Sequence, residues 1–229
     1  MRAFEAATRL GFRYLETDVH VTVDGVLVAF HDDQLDRVTD RSGLVADLRW
    51  EQVSAARIAG SEPIPTLDEL LEAFPDSRFN IDMKTEDTVV PLVAAVRRHG
   101  ATDRVCIASF SDSRLQRARA LLGPTVCSAA GPREIAKLSG SSRLPGATWL
   151  RTGAVRRFQC LQVPVRHRNF EIVTPALIEA AHSRGCQVQV WTIDDPVEME
   201  RLLDMGVDGI MTDRPSVLRS VIERRGSWA

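Results

Sequence analysis

The sequence predicts an α/β fold whose parallel strands close into a barrel, and three observations point there. Short apolar runs alternate with helical stretches, and from Phe79 onward strand starts recur about every 20–35 residues, the length of one β-α unit. No GxGxxG or Walker sequence follows a predicted strand, where an open doubly wound sheet would carry a glycine-rich phosphate turn. The length of 229 residues lies a little under the ~250 of a single α/β barrel. Composition narrows the class further. With 44% hydrophobic and 26% charged residues the chain is an ordinary globular one, not a coiled coil or a disordered tail. A net charge of -2 provides no global field to hold nucleic acid, and no apolar run approaches a membrane span.

The elements follow in order. The opening Met1-Arg2-Ala3-Phe4-Glu5-Ala6-Ala7 is broken by charge, so it is no signal peptide. It reads as an amphipathic helix with Phe4, Ala7 and Leu10 on its buried stripe and Gly11 at its end, and no capping residue precedes it. Tyr14–Val19, Phe79–Met83, Val105–Ser109, Thr125–Ala129, Cys160–Val163, Gln187–Ile193 and Val207–Thr212 read as strands, because β-branched and aromatic residues sit between turn signals. Thr66-Leu67-Asp68-Glu69 is a capping box. Thr174-Pro175 and Asp195-Pro196 start helices with a polar cap and a first-turn proline, while Gly185 and Gly206 close them. The four cysteines, Cys106, Cys127, Cys160 and Cys186, have no zinc spacing and read as buried apolar residues.

The chemistry concentrates after the first helix. Asp24-Gly25 is a two-residue hairpin signal between alternating residues. Such a loop sets Val23 against Val26, Asp18 against His31 and Glu16 against Asp33. Glu16, Asp18 and His20 share one strand face, with His20 expected beyond the strand end, nearer the hairpin tip. On the next apolar strand Asn80, Asp82 and Lys84 share a face. Strand C-termini line the mouth of a barrel, so Glu16, Asp18, Asp82, Lys84 and His31 are expected to meet there. Paired carboxylates make a hard-oxygen site for Mg²⁺ or Ca²⁺, lysine adds fixed positive charge, and histidine moves protons near neutral pH. That set suits metal-assisted attack on a phosphate.

At these residues the chain resembles the glycerophosphodiester phosphodiesterase family of TIM (β/α)8-type barrels. The matching pieces include Leu15-Glu16-Thr17-Asp18-Val19, Thr22-Val23-Asp24-Gly25, His31-Asp32, Leu35-Asp36-Arg37 and Ile64-Pro65-Thr66-Leu67. They continue through Asn80-Ile81-Asp82-Met83-Lys84, Ser109-Phe110, Val190-Trp191-Thr192-Ile193 and Gly206-Val207-Asp208-Gly209 on to Pro215. The resemblance implies a single domain over residues 1–229 with an insertion at about 35–65 over the mouth. It implies that Glu16, Asp18 and Asp82 ligate a divalent metal, Ca²⁺ or Mg²⁺, and that His31 is one of two catalytic histidines. It also implies that Lys84 contacts phosphate and that Phe110 and Trp191 line the substrate pocket. The activity implied is hydrolysis of a small-molecule glycerophosphodiester to sn-glycerol 3-phosphate and an alcohol.

Two departures from the family pattern qualify this expectation. The third acid is Asp82, where the family usually has Glu. The family opens with a strand ending His-Arg-Gly and a Pro-Glu-Asn segment, neither of which occurs in the chain. The expectation is therefore a barrel lacking its first strand, truncated upstream of Met1, with impaired hydrolysis. A non-catalytic, phosphodiester- or metal-binding relic is the alternative. A barrel enzyme of another class, such as an isomerase, leaves the acid–histidine cluster unexplained. From Ile135 to Phe170 the chain has seven basic residues and no acid: Lys137, Arg143, Arg151, Arg156, Arg157, Arg166 and Arg168. This run reads as a solvated face, with contact to a membrane surface as its functional alternative. A cytoplasmic location is slightly favoured.

Overall fold

The computed structural model describes residues 1–142 and 157–228. They form two compact units, Met1–Cys127 and Ser128–Ala229. Arg143, Arg151 and Arg156 of the basic run lie outside the described residues, whereas Lys137, Arg157, Arg166 and Arg168 are exposed.

The first unit opens with helix α1 (Arg2–Arg9), which has no side-chain cap at Met1. Gly11, at φ 90°, takes the left-handed turn out of it. Phe4 and Ala7 are only partly buried and pack against the main core. Strands β1 (Tyr14–Val21) and β2 (Leu27–Ala29) follow as a hairpin. Short elements come next: α2 (Trp50–Ser54), then β3 (Arg57–Ile58) and β4 (Glu62–Pro63), which pair with each other. Then come α3 (Leu67–Ala73), β5 (Arg78–Met83), α4 (Val89–Arg98), β6 (Val105–Ala108), α5 (Asp112–Leu122) and β7 (Cys127–Ser128). The sheet order is β2-β1-β5-β6-β7. β1, β5 and β6 run parallel, as β-α units require.

Strand alternation divides the residues cleanly. Leu15, Val19, Phe79, Ile81, Met83, Val105 and Ile107 pack against Leu67, Leu70, Leu92, Val96 and Leu115 of the helices. The opposite face carries Glu16 beside Asn80, and Asp18 beside Asp82. The segment after β2 has a small core of its own, built on Val28, Phe30, Leu35, Val45, Val53, Ala56 and Ile64. This explains how residues from 35 to 65 can be ordered without long elements.

The hairpin register differs from the expected one by one residue. Val19 pairs with Ala29 and Val21 with Leu27. The loop is the three residues Val23-Asp24-Gly25, closed by Thr22 N donating to Val26 O at 3.0 Å and Gly25 N to Thr22 O at 2.9 Å. Gly25 supplies the left-handed residue, φ 87°, that a three-residue loop with a bulge demands. The Thr22 hydroxyl selects this loop: it donates to Asp24 Oδ1 at 2.6 Å and accepts from Val26 N at 3.0 Å. The Asp18–His31 and Glu16–Asp33 cross-strand pairs therefore do not form. Phe30 N donates instead to Asp18 O, and His31 lies past the end of β2.

The second unit contains α6 (Pro132–Ser142), β8 (Cys160–Pro164), the hairpin β9 (Arg166–His167) and β10 (Phe170–Glu171), and α7 (Pro175–His182). It continues with β11 (Gln187–Trp191), α8 (Pro196–Met205), β12 (Gly209–Ile210) and α9 (Pro215–Arg224). β8, β11 and β12 form a parallel sheet in the order β12-β11-β8. The predicted caps are present: Thr174 and Asp195 accept from the third helical amides, and Gly206 ends α8 in the left-handed region. Among the described residues no helix is long and apolar enough to cross a membrane.

Candidate active site

The C-terminal ends of β1 and β5 build the site. Their parallel register sets Asp18 directly beside Asp82 on the face away from the helices. Both are nearly buried, at 9% and 6% exposure. Two carboxylates at one level on neighbouring strands, about 4.8 Å apart, repel each other unless a cation intervenes. Lys84, two residues beyond Asp82 on the same face, supplies one. Its Nζ lies 2.5 Å from Asp18 Oδ1 and 2.9 Å from Asp82 Oδ2. Burial pushes the Asp82 carboxyl above the usual carboxylate range, with Lys84 opposing that shift. Burial alone would lower the Lys84 ammonium, but its hydrogen bonds to Asp18 and Asp82 prevail and hold it above an ordinary lysine. Asp82 Oδ1 is buried and has no hydrogen-bond partner. An anionic oxygen left without a donor in the interior is costly, so this one fits a ligand to a hard cation. Glu16 lies one row deeper, level with Asn80, and is exposed.

His20 was expected near the hairpin tip, beyond the strand. β1 instead runs on to Val21, and His20 stands at the mouth with 5% exposure. Its Nε2–H donates to His31 O at 3.2 Å. Burial lowers its basicity, and Lys84 and Asp18 act on it in opposite directions. The β-branched Val19 and Val21 on either side were the available sign that the strand continues.

His20, His31, Asp32, Arg37, Lys84 and Thr85 border one open cleft of about 570 Å³. The His31 side chain is 72% exposed there. Its Nδ1 lies 2.7 Å from Asp32 Oδ1, and Arg37 grips Asp32 through Nε (2.6 Å) and Nη2 (2.9 Å). Phe110, 69% exposed just after β6, stands with its ring centroid 5.9 Å from Lys84 Nζ. The first unit thus brings together His31, Asp18, Asp82, Lys84 and Phe110. Trp191 ends β11 in the second unit and is half-buried.

One supporting residue had no sequence signal. Arg114, on α5, donates from Nη1 to Met83 O at 2.5 Å and to Ser109 Oγ at 2.8 Å. It pins the end of β5, and its charge favours ionised Asp82. Nothing in the helical pattern distinguishes it from a surface arginine.

Comparison with known proteins identifies the family. The glycerophosphoryl diester phosphodiesterase family model matches residues 1–217. A probable glycerophosphodiester phosphodiesterase 2 of Mycobacterium tuberculosis is 42% identical over 228 residues, covering 100% of this chain and 86% of that protein. A glycerophosphodiester phosphodiesterase of Caldanaerobacter subterraneus is 30% identical, covering 98% of this chain and 91% of that protein. Among solved structures, a putative glycerophosphoryl diester phosphodiesterase from Silicibacter pomeroyi superposes with a TM-score of 0.79 at 22% identity, over 100% of this chain and 90% of that one. An Oleispira antarctica phosphodiesterase in complex with the product sn-glycerol-3-phosphate gives 0.78 at 22% identity, over 96% and 89%. The fold is the TIM-type α/β barrel of these neighbours, and the family as a whole depends on a divalent metal. The chain belongs to the glycerophosphoryl diester phosphodiesterase family.

Proposed function

We propose that this protein hydrolyses glycerophosphodiesters to sn-glycerol 3-phosphate and an alcohol at the cleft beside Lys84. The single observation that carries this reading is the Asp18–Asp82 pair, with its unpartnered buried oxygen, beside a lysine and an exposed histidine. Asp18 and Asp82, with Glu16 one row deeper, are the residues that would hold a divalent cation, and all-oxygen ligation favours Mg²⁺ or Ca²⁺. The chemistry supplied by a cation bound there is neutralisation and polarisation of the phosphoryl oxygens.

The other roles belong to the chain itself. Lys84 holds a fixed positive charge at the rim, where it can pair with a phosphoryl oxygen. His31 presents its ring to the cleft and moves a proton, either from the attacking water or to the leaving oxygen. Phe110 offers an apolar wall beside Lys84 for the glycerol or alcohol carbon atoms. The substrate is a small molecule.

Incubation with glycerophosphocholine, and enzymatic detection of sn-glycerol 3-phosphate, tests the proposal. Release that stops on chelation and in a His31→Asn variant is expected. No release at any concentration of Mg²⁺ or Ca²⁺ would contradict it.

A further inference from the structure

His31 is an exposed side chain, and an exposed imidazole has no fixed ring orientation or tautomer unless a neighbour imposes one. Here the neighbour is Asp32. An ionised carboxylate only accepts hydrogen bonds, so the 2.7 Å contact between His31 Nδ1 and Asp32 Oδ1 requires the proton on Nδ1. Nε2 is then the nitrogen left to exchange a proton in the cleft. Asp32 is in turn held by Arg37 in a two-point grip, Nε to Oδ2 at 2.6 Å and Nη2 to Oδ1 at 2.9 Å. The Arg37 guanidinium, with His31 second, holds the Asp32 carboxyl at about 2, so it stays an acceptor throughout the working range.

The backbone carrying these three residues is anchored on both sides. Phe30 and Leu35 are buried at 6% and 0% exposure. Leu35 N donates to Gly43 O at 3.0 Å and Val45 N to Asp33 O at 2.9 Å. His20 donates to the His31 carbonyl from below. The segment therefore has little freedom to turn the ring away.

We propose that Asp32 and Arg37 are positioning residues for His31: Asp32 fixes the Nδ1-protonated tautomer and the ring plane, and Arg37 locks Asp32, so that Nε2 faces the cleft. This rests on the reading of His31 as the proton-transfer group. It also gives a function to the ion pair of Arg37, whose side chain is 66% exposed.

The test combines kinetics and NMR on the full chain. Asp32→Asn preserves shape but removes the obligatory acceptor. It is expected to lower kcat roughly 10–100-fold with KM changed less than about threefold, since partners that orient a reactive group act at that scale. Arg37→Gln is expected to lower kcat about 3–10-fold, a partial version of the same loss. Long-range proton–nitrogen spectra of the imidazoles give a readout that a merely structural role would not move. Neutral His31 is expected to be Nδ1-protonated in the wild type and a mixture of tautomers in Asp32→Asn. Asp32→Glu, which keeps an acceptor, is expected to restore the wild-type tautomer at least in part.

An unchanged kcat and an unchanged tautomer in Asp32→Asn, with His31→Asn inactive, would overturn the brace and leave the role of His31 standing. Full activity in His31→Asn would overturn that role itself. If Asp32→Asn does not fold, Arg37→Gln and Asp32→Glu decide by the same two readouts.

Discussion

Asp18 and Asp82 stand side by side on adjacent parallel strands, and the Lys84 ammonium bridges them at 2.5 and 2.9 Å. Lys84 also borders the cleft lined by His20, His31, Asp32 and Arg37. Two nearly buried carboxylates would be a serious defect in a purely structural protein. Their geometry makes sense if the same oxygens serve a cation during the reaction.

Removing the bridging charge should expose that tension. Lys84→Met is expected to destabilise the fold by roughly 1–3 kcal/mol near neutral pH, below the cost of breaking a fully buried pair because Lys84 is partly solvated. Burial raises the folded-state Asp82 carboxyl above its unfolded value. Protonation at low pH therefore favours the folded state, and the penalty should shrink as pH falls toward about 4. Chemical denaturation at several pH values measures this. A penalty that grows on acidification would refute the assignment.

The Asp32 carboxyl behaves in the opposite way. Arg37 foremost, then His31, holds it at about 2 in the folded protein. Its contribution to stability is present above the unfolded value of about 4 and is lost as pH falls through about 2. The melting-temperature difference between the wild type and Asp32→Asn is expected to be constant above about pH 5 and to vanish as pH approaches about 2. A difference that persists undiminished there would show that the carboxylate charge is not the cause.

Gly25 sits at φ 87° with open space where a Cβ would go. Gly25→Ala meets no clash, only left-handed strain, and is expected to cost about 1–2 kcal/mol. Because the loop lies at the far end of the hairpin from His31 and Lys84, kcat should be unchanged. Urea unfolding together with steady-state kinetics checks both halves.

Much of this architecture was legible in the sequence, and the failures have identifiable causes. Every predicted strand has an observed counterpart, because β-α periodicity survives at each one. The Thr66–Glu69 capping box forms reciprocally, at 2.7 and 3.1 Å, since it needs only local contacts. The alternation that puts Glu16 and Asp18 of β1 on one sheet face with Asn80 and Asp82 of β5 held, because it follows from strand geometry alone. The hairpin register failed because Asp24-Gly25 fits loops of two or three residues equally well. The choice was made by the Thr22 hydroxyl, whose bonds to Asp24 and Val26 no periodicity encodes. That one-residue shift removed the expected Asp18–His31 pairing, while the extension of β1 to Val21 set His20 at the mouth. Arg114 was invisible for a related reason: its partners, Met83 O and Ser109 Oγ, belong to strand ends that meet it only in three dimensions.

Calorimetric titration of Mg²⁺ and Ca²⁺ into the wild type and Asp18→Ala tests the role of the carboxylate pair most directly. The wild type is expected to bind one cation per chain, and Asp18→Ala, still folded, to bind none. Undiminished binding to Asp18→Ala would contradict the assignment of Asp18 and Asp82 as the metal site.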